Sequence, residues 1–263
     1  MEKLEDKNIR IQKIVNIKTK EFKKAEILAS YTCLADLINI LNITDNKEKT
    51  ENLIEFDLKQ LNIIYENLDI IIEKWLDFSI NLYPYTLLNK LKIVKWFLKR
   101  INKKIKKSWK NIQLFIEIVE NGGINQKEYL NIIYQILSKY KNYKMVFDDV
   151  VILNDWNDLH FLKMINKILK KNYLNVKTIK FDIQIIKRCN VTKLIKLFNI
   201  LSKYIITKDI VFEGVEEQKE LNKIIKAVKI YNKTHDNKIN SNKIFIQWFY
   251  YHKPKEIYEI NIL

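Results

Sequence analysis

Glycine, proline and cysteine are all scarce in this chain. Its 263 residues include three Gly, two Pro and two Cys. The cysteines, Cys33 and Cys189, do not have the close spacing of a zinc site, so we expect plain core thiols in a reducing compartment. No linker rich in Gly, Pro or Ser divides the sequence, and we predict a single domain over residues 1–263.

Long apolar runs are absent as well. No stretch reaches the roughly 18 apolar residues that a membrane span requires. The first ten residues, MEKLEDKNIR, are too polar for a secretion signal. The sequence therefore predicts a cytoplasmic protein with no membrane span.

Positive charge is abundant, but almost all of it is lysine. The formal net charge is +16, and the only arginines are Arg10, Arg100 and Arg188. A basic chain invites a nucleic-acid interpretation, yet the sequence has no helix-turn-helix or other reader motif. We interpret the lysines as solvated surface whose field helps to recruit an anionic ligand. The basic run over residues 99–107 is interpreted as a solvated helix end, and its alternative is binding to nucleic acid or to an anionic membrane. Nucleic acid is not an expected partner.

Short β-branched or aromatic runs alternate with longer amphipathic stretches. In those stretches, apolar residues recur at spacings of three and four, which indicates helices with one buried face. The predicted helices are 89–104, 126–140, 158–171, 191–204 and 218–231, and an insert over 34–75 is mostly helical with a polar break at 44–50. The predicted strands are 9–17, 21–29, 77–82, 113–119, 144–148, 176–181, 209–212 and 244–247.

This alternation favours a parallel sheet. The first two strands are an exception: three residues separate them, too few for a parallel crossover, so they must form a hairpin. The number of strand–helix units favours a closed barrel over an open sheet, although spacing alone does not decide between the two. The predicted fold class is α/β, a TIM-like (β/α)8 barrel with an antiparallel first strand pair.

Polar residues lie at the ends of these strands. In a (β/α)8 barrel the carboxyl ends of the strands share one face, where catalytic groups gather. Carboxylates, one carboxamide and one lysine there suit a hard divalent cation, and two such ions can activate water and neutralise a phosphoryl oxygen. Taken singly, each carboxylate has a plainer interpretation as a helix cap. The set is Glu26, Asn81, Glu117, Glu120, Asp148, Asp149, Lys180, Asp182, Glu213, Glu216 and Gln247.

These residues carry a resemblance to the EAL domain family. The family's Glu-Ala-Leu signature is similar to Glu26-Ile27-Leu28, and its Ala-Glu-Gly-Val-Glu segment, the sharpest match, is similar to Phe212-Glu213-Gly214-Val215-Glu216. The other matches follow in the family's order over residues 9–260. They are Ile80-Asn81-Leu82, Ile116-Glu117-Ile118-Val119-Glu120, Asp148-Asp149, Ile179-Lys180-Phe181-Asp182, and Gln247-Trp248-Phe249 with Lys253-Pro254.

The resemblance implies a TIM-like barrel that binds cyclic di-GMP and hydrolyses it to linear pGpG. It also implies Mg²⁺ or Mn²⁺ in a two-metal site, and a homodimer, which is usual in the family. The first metal would be held by Glu26, Asn81, Glu117 and Asp148.

The resemblance assigns the remaining roles residue by residue. Asp148 would bridge to the second metal with help from Asp149, Lys180 would touch the attacking water, and Glu213 would complete the metal and water network. Lys180, Glu213 and Glu26 are thus the implied catalytic residues. Glu120 would brace the loop after Asp149. The implied substrate-side positions are Gln247, Asp182, Ser30 and Trp248.

Three departures from the family pattern bear on activity. Ser30 stands where the family usually has a phosphate-binding arginine, and residues 149–156 replace a glycine-rich loop. Trp248 replaces a glycine, so its ring either stacks on a guanine or blocks the pocket. The alternative to an enzyme is therefore a weak or inactive EAL-like domain acting as a cyclic di-GMP receptor or protein-interaction module. A third hypothesis is a basic nucleic-acid-binding protein on a reused barrel.

Overall fold

A computed structural model describes most of the chain. The described residues are 10–28, 38–74, 77–119, 132, 135–136, 138–140, 142–150, 176–204, 209–215, 217–247 and 255–256. No helix within these ranges is long and apolar enough to cross a membrane.

All eight predicted strands are present. Their bounds agree with the prediction to within two residues, because alternating β-branched and aromatic residues mark each one. A two-residue ninth strand was not predicted. The strands are β1 (Arg10–Asn16), β2 (Phe22–Leu28), β3 (Asp77–Asn81), β4 (Leu114–Val119), β5 (Tyr143–Val150), β6 (Val176–Phe181), β7 (Asp209–Phe212), β8 (Ile244–Gln247) and β9 (Lys255–Glu256).

The described helices are amphipathic, and they separate most of the strands. The predicted polar break at 44–50 is wrong in part, since a helix begins inside it at Asn46. The Asp45 side chain accepts a hydrogen bond from the Glu48 N–H at 2.7 Å and so caps that helix. The predicted helix 158–171 lies outside the described residues, as does most of 126–140. The helices are α1 (Asn46–Glu66), α2 (Leu68–Glu73), α3 (Pro84–Asn89), α4 (Leu91–Lys107), α5 (Ile183–Arg188), α6 (Val191–Tyr204) and α7 (Gln218–Thr234).

The strands form one sheet that closes on itself. Their order is β2-β3-β4-β5-β6-β7-β8-β1-β9, and β1 also pairs with β2. The recorded pairs from β2 to β4 and from β5 to β8 are parallel, whereas β1 runs antiparallel to β8. The fold is thus a mixed α/β barrel of the TIM type, which confirms the predicted fold class.

The turn between β1 and β2 is built without glycine. The Asn16 side-chain oxygen accepts from the Lys18 N–H at 2.9 Å and from the Thr19 N–H at 3.0 Å. The Asn16 N–H donates to the Glu21 carbonyl at 3.0 Å and closes the hairpin. Lys20 takes a left-handed conformation, with φ at 62°, which costs a residue with a Cβ roughly 1–2 kcal/mol.

The chain divides into two compact units. The first comprises residues 1–12, 24–144 and 254–263, and the second comprises 13–23 and 145–253. In the first, one face of α4 is buried through residues spaced three and four apart. Tyr143, itself buried, donates its hydroxyl to the Leu98 carbonyl of that helix at 2.5 Å. The buried residues of α4 are Val94, Phe97, Leu98, Ile101, Asn102 and Ile105.

The second unit has an aromatic core. The Phe181 and Phe212 rings, on neighbouring strands, stack with centroids 5.7 Å apart. Phe198 of α6 meets Phe212 and Tyr231 edge-on, each at 6.2 Å. The Tyr231 hydroxyl donates to Ser202 Oγ at 2.7 Å, so its one polar group is satisfied.

Candidate functional site

Two predicted ligands in the first unit are joined by a hydrogen bond. Asn81 ends β3, and its Nδ2 donates to Oε1 of Glu26 on β2 at 2.9 Å. This bond fixes the carboxamide orientation, so that its oxygen remains the acceptor. Asn81 also stands in register with Glu117 of β4. Three neighbouring strands therefore each contribute one predicted metal ligand.

The two carboxylates of this group are deeply buried. Glu26 is 5% exposed and Glu117 is 0% exposed. Burial of an ionised carboxylate is costly unless hydrogen bonds or a counter-charge offset it. Such positions favour a site that receives a cation over a simple surface cap.

A buried lysine joins two predicted site residues in the second unit. Lys180 Nζ lies 2.9 Å from Asp148 Oδ1 and 2.9 Å from Glu213 Oε1. The three side chains are 1%, 9% and 16% exposed, in the order Lys180, Asp148, Glu213. Two carboxylates and one ammonium leave a formal charge of −1, which is attractive to a divalent cation.

A β-bulge brings Asp148 into this group. Phe147 pairs with Ile179 and Val150 pairs with Phe181, so three steps along β5 match two along β6. The extra residue falls at Asp148–Asp149. Bulges re-aim side chains and are common beside active sites. The sequence placed both aspartates at the strand end, whereas β5 continues through Val150.

Glycine shapes the backbone beside Glu213. The Glu213 N–H donates to the Phe181 carbonyl at 2.9 Å, and Gly214 follows with φ at 60°. Only glycine takes this conformation without a steric cost. The next residue, Val215, donates its N–H to the Gln247 carbonyl at 3.3 Å.

The two substrate-side residues in the described ranges follow or end a strand. Gln247 ends β8 and is 2% exposed. Asp182 directly follows β6, is half-buried, and accepts at its carbonyl from the Ile185 N–H at 3.0 Å. Ser30, Trp248, Glu120 and Glu216 lie outside the described residues. For Asp149, only the backbone is described.

Sequence reasoning missed Asp57, which holds the loop after Asn81. Its carboxylate is 8% exposed and accepts from the Tyr83 N–H at 2.6 Å. Burial raises the pKa of Asp57 to about 6, although hydrogen bonds from Thr86 and Tyr83 oppose that shift. In the sequence, Asp57 could have been noticed as an aspartate that interrupts the apolar, buried stripe of α1. The apolar members of that stripe are Leu53, Ile54, Leu61, Ile63 and Ile64.

The donor set fits Mg²⁺ or Mn²⁺ by its chemistry. In both units the predicted ligands are carboxylate or carboxamide oxygens, which hard divalent cations prefer. Within the part of the chain that the structure describes, no three His, Cys, Asp or Glu side chains form a ready cage for a metal. The Asn81 carboxamide is a further oxygen donor beside Glu26.

No family model and no curated protein matches this sequence. Among solved structures, it is similar to BlrP1 of Klebsiella pneumoniae in complex with manganese and cyclic di-GMP. The TM-score is 0.60 at 15% identity, covering 95% of this chain and 56% of that one. It is also similar to the EAL domain of Mycobacterium smegmatis DcpA, with a TM-score of 0.55 at 14% identity, covering 95% and 94% of the two chains. The fold is EAL-like.

A third solved structure agrees, the EAL enzyme Bd1971 in its cAMP-bound form. Its TM-score is 0.57 at 15% identity, covering 95% of this chain and 62% of that one. This chain therefore spans a little over half of BlrP1 and nearly the whole of the DcpA domain. At such identities, the similarity establishes the fold alone.

Proposed function

We propose that this chain is a metal-dependent phosphodiesterase that hydrolyses cyclic di-GMP to linear pGpG. The strongest support for this proposal is the position of Lys180, which is buried between the carboxylates of Asp148 and Glu213 at 2.9 Å from each. A scaffold has little reason to bury these charges together, since a hydrophobic trio of similar volume is often at least as stable. The solved BlrP1 complex, which has a similar fold, contains manganese and cyclic di-GMP.

In the first unit, Glu26, Asn81 and Glu117 supply oxygen ligands for Mg²⁺ or Mn²⁺. The hydrogen bond from Asn81 to Glu26 holds both side chains in one orientation, which lowers the cost of ordering them when metal binds. Bound metal would polarise a phosphoryl oxygen and lower the pKa of a water molecule.

In the second unit, Asp148, Asp149 and Glu213 supply the remaining carboxylates. The Lys180 ammonium offsets their charge and donates a hydrogen bond to the attacking water. Glu213, held by Lys180, accepts a hydrogen bond from that water and orients its lone pair. The water would pass a proton to Glu213 as its oxygen bonds to phosphorus, and one ribose oxygen would leave and take up a proton from solvent, which opens the ring to pGpG.

Substrate-side roles complete the proposal. Gln247 and Asp182 are assigned to the ligand, together with Ser30 and Trp248. Because Ser30 lacks the charge of an arginine, the phosphate loses a bidentate contact worth about 1.5–3 kcal/mol. We therefore expect a raised KM for cyclic di-GMP. A cytoplasmic location and a homodimer also belong to this proposal, and light scattering at several protein concentrations would test the dimer.

A turnover assay with Mn²⁺ or Mg²⁺ tests the proposal. Wild type should release pGpG, EDTA should stop the release, and added metal should restore it. Glu26→Gln, which keeps the shape but removes a ligand charge, should abolish turnover. Glu55→Gln is the matched control, because Glu55 lies exposed on α1 and should leave turnover unchanged. Equal activity in Glu26→Gln and wild type would sink the assignment.

The alternative function is a cyclic di-GMP receptor with little or no turnover. It is favoured by the course of β5, which runs as a strand through Val150 where the family's glycine-rich loop begins. Calorimetry separates the two functions. Micromolar binding of cyclic di-GMP with no pGpG under either metal would establish the receptor, and absence of both would leave only the fold.

A further inference from the structure

Helix α4 has an exposed face of one charge sign. Its 17 residues contain no acidic side chain. On the exposed side, basic residues follow one another at spacings of three and four. The eight basic residues of the helix are Lys92, Lys95, Lys99, Arg100, Lys103, Lys104, Lys106 and Lys107. By comparison, α7 has five lysines and one glutamate.

Most of this charge is free of intramolecular pairing. Lys104 pairs with Asp69 at 2.8 Å at the edge of the face. Across the described residues, Lys92, Lys99, Lys103 and Lys107 make no ion pair, and all four are exposed. The apolar side of the helix is buried in the first unit, so the basic side is the one available to a partner.

A tryptophan stands within the basic face. Trp96 is 49% exposed, and by helical spacing it lies beside Lys92, Lys99, Arg100 and Lys103. Trp109 follows the end of the helix and is 96% exposed, more than any other large apolar side chain among the described residues. Trp96 packs edge-on against Phe97 at 4.9 Å, and the rest of its ring stays exposed among the lysines. Tryptophan is enriched at interfaces because its ring is apolar while its N–H can remain in a polar environment.

The partner is best explained as an anionic membrane surface. Tryptophan is enriched at the membrane–water interface, and lysines near an anionic leaflet each contribute about 1 kcal/mol of attraction. A single-stranded nucleic acid would need open ring faces for base stacking. On the basic side of α4 the ring that a base would stack on is Trp96, and one side of it is already covered by Arg100, whose Cζ lies 4.4 Å from its centroid. The same guanidinium also contacts the Tyr65 ring at 4.3 Å, so it is held away from a bidentate phosphate contact.

We propose that the α4 face, defined by Lys92, Trp96, Lys99, Lys103 and Lys107, docks the protein on a bilayer containing anionic phospholipid, with Trp109 exposed just past the helix end as a further contact. Binding is electrostatic through the lysines, and the two tryptophans insert at the headgroup level. This role does not depend on turnover, because none of these residues is assigned to the candidate functional site.

Vesicle sedimentation tests the proposal directly. Wild type should sediment with vesicles containing about 30% phosphatidylserine in phosphatidylcholine, and not with pure phosphatidylcholine. The charge reversal Lys99→Glu/Lys103→Glu should weaken the partition coefficient about tenfold or more. Its matched control is Lys229→Glu/Lys233→Glu, which makes the same charge change at exposed positions of α7, a helix without tryptophan. Circular dichroism should show both variants folded.

A second variant tests insertion separately from charge. Trp96→Ala/Trp109→Ala keeps every lysine and should weaken binding several-fold, while brominated lipids should quench the fluorescence of wild type more than that of this variant. Equal losses in the α4 and α7 charge variants would overturn the proposal, since net charge alone would then explain binding. So would absence of sedimentation with the anionic vesicles. Capture of a single-stranded oligonucleotide, lost in Lys99→Glu/Lys103→Glu, with no vesicle binding would reassign the face to nucleic acid.

Discussion

Lys180 Nζ lies 2.9 Å from Asp148 Oδ1, although Asp148 occupies a bulge on β5 and Lys180 a regular position on β6. Both side chains are almost fully buried, so replacing only one of them leaves the other as an unpaired buried charge. Removal of one partner from a buried pair typically costs about 3–5 kcal/mol.

Substitution of Lys180 should therefore affect stability and turnover together. Lys180→Met should lower the free energy of unfolding by about 3–5 kcal/mol, because Asp148 and Glu213 lose their shared counter-charge. Turnover should fall below detection. Urea unfolding and pGpG release measure the two effects. Lys177→Met on the same strand is the control, since Lys177 is only half-buried. An equally large loss of unfolding free energy in that variant would mean that any such substitution damages the strand.

The hydrogen bond between Asn81 and Glu26 predicts an effect on metal affinity. Asn81→Ala should weaken Mn²⁺ binding about 10–100-fold, because the variant loses one ligand and the bond that orients Glu26. The free energy of unfolding should also fall by about 1–3 kcal/mol, because the buried Glu26 carboxylate loses a hydrogen bond. Calorimetric titration with Mn²⁺ measures the affinity.

An Asn-to-Glu pair elsewhere provides the control for that experiment. Asn62 donates to Glu66 Oε1 at 2.9 Å on the exposed side of α1, which is the same chemistry without a predicted metal. Asn62→Ala should leave Mn²⁺ affinity unchanged. If both variants bind Mn²⁺ as wild type does, Asn81 is not a ligand.

Much of the fold could be predicted because strand and helix periodicity dominate local structure. Strands β6, β7 and β8 begin and end where the sequence predicts. The start of α1 was missed because Asp45 caps it inside a polar run. The candidate site residues were assigned by resemblance to a family, and periodicity alone did not distinguish them from helix caps. The bulge at Asp148–Asp149 and the pairing around Lys180 depend on register between strands distant in sequence, which no local pattern encodes.

Asp57 predicts an unusual pH dependence of stability. Burial raises its pKa to about 6 from the ordinary 3.8, so the folded protein binds this proton more tightly than the unfolded chain does. The contribution of Asp57 to the free energy of unfolding is therefore greatest below about pH 4. It is lost as the pH rises to about 6, and the loss amounts to about 3 kcal/mol in all. Asp57→Asn, which keeps an acceptor for the Tyr83 N–H, removes this titration.

The measurement is the unfolding free energy of wild type minus that of the variant, followed from pH 4 to pH 7. That difference should fall by about 3 kcal/mol across the range. Asp69→Asn serves as the comparison, because the Asp69 side chain is 76% exposed and pairs only at the surface. A flat difference for Asp57→Asn would show that the carboxyl titrates normally.

Gly214 and Lys20 both have a positive φ, at 60° and 62°, but only one of them is glycine. Gly214→Ala should destabilise the protein by about 1–2 kcal/mol, since the new Cβ clashes in the left-handed region. Lys20→Gly removes that same clash and should change stability in the opposite direction by less than about 1 kcal/mol, because the unfolded chain gains entropy.

Gly214→Ala should also slow turnover by about tenfold or more, as a small displacement of Glu213 breaks its alignment with Lys180. Thermal unfolding and pGpG release measure both effects, and Lys20→Gly should leave turnover as in wild type. If Gly214→Ala is destabilised but turns over normally, the glycine serves the fold and Glu213 does not depend on it.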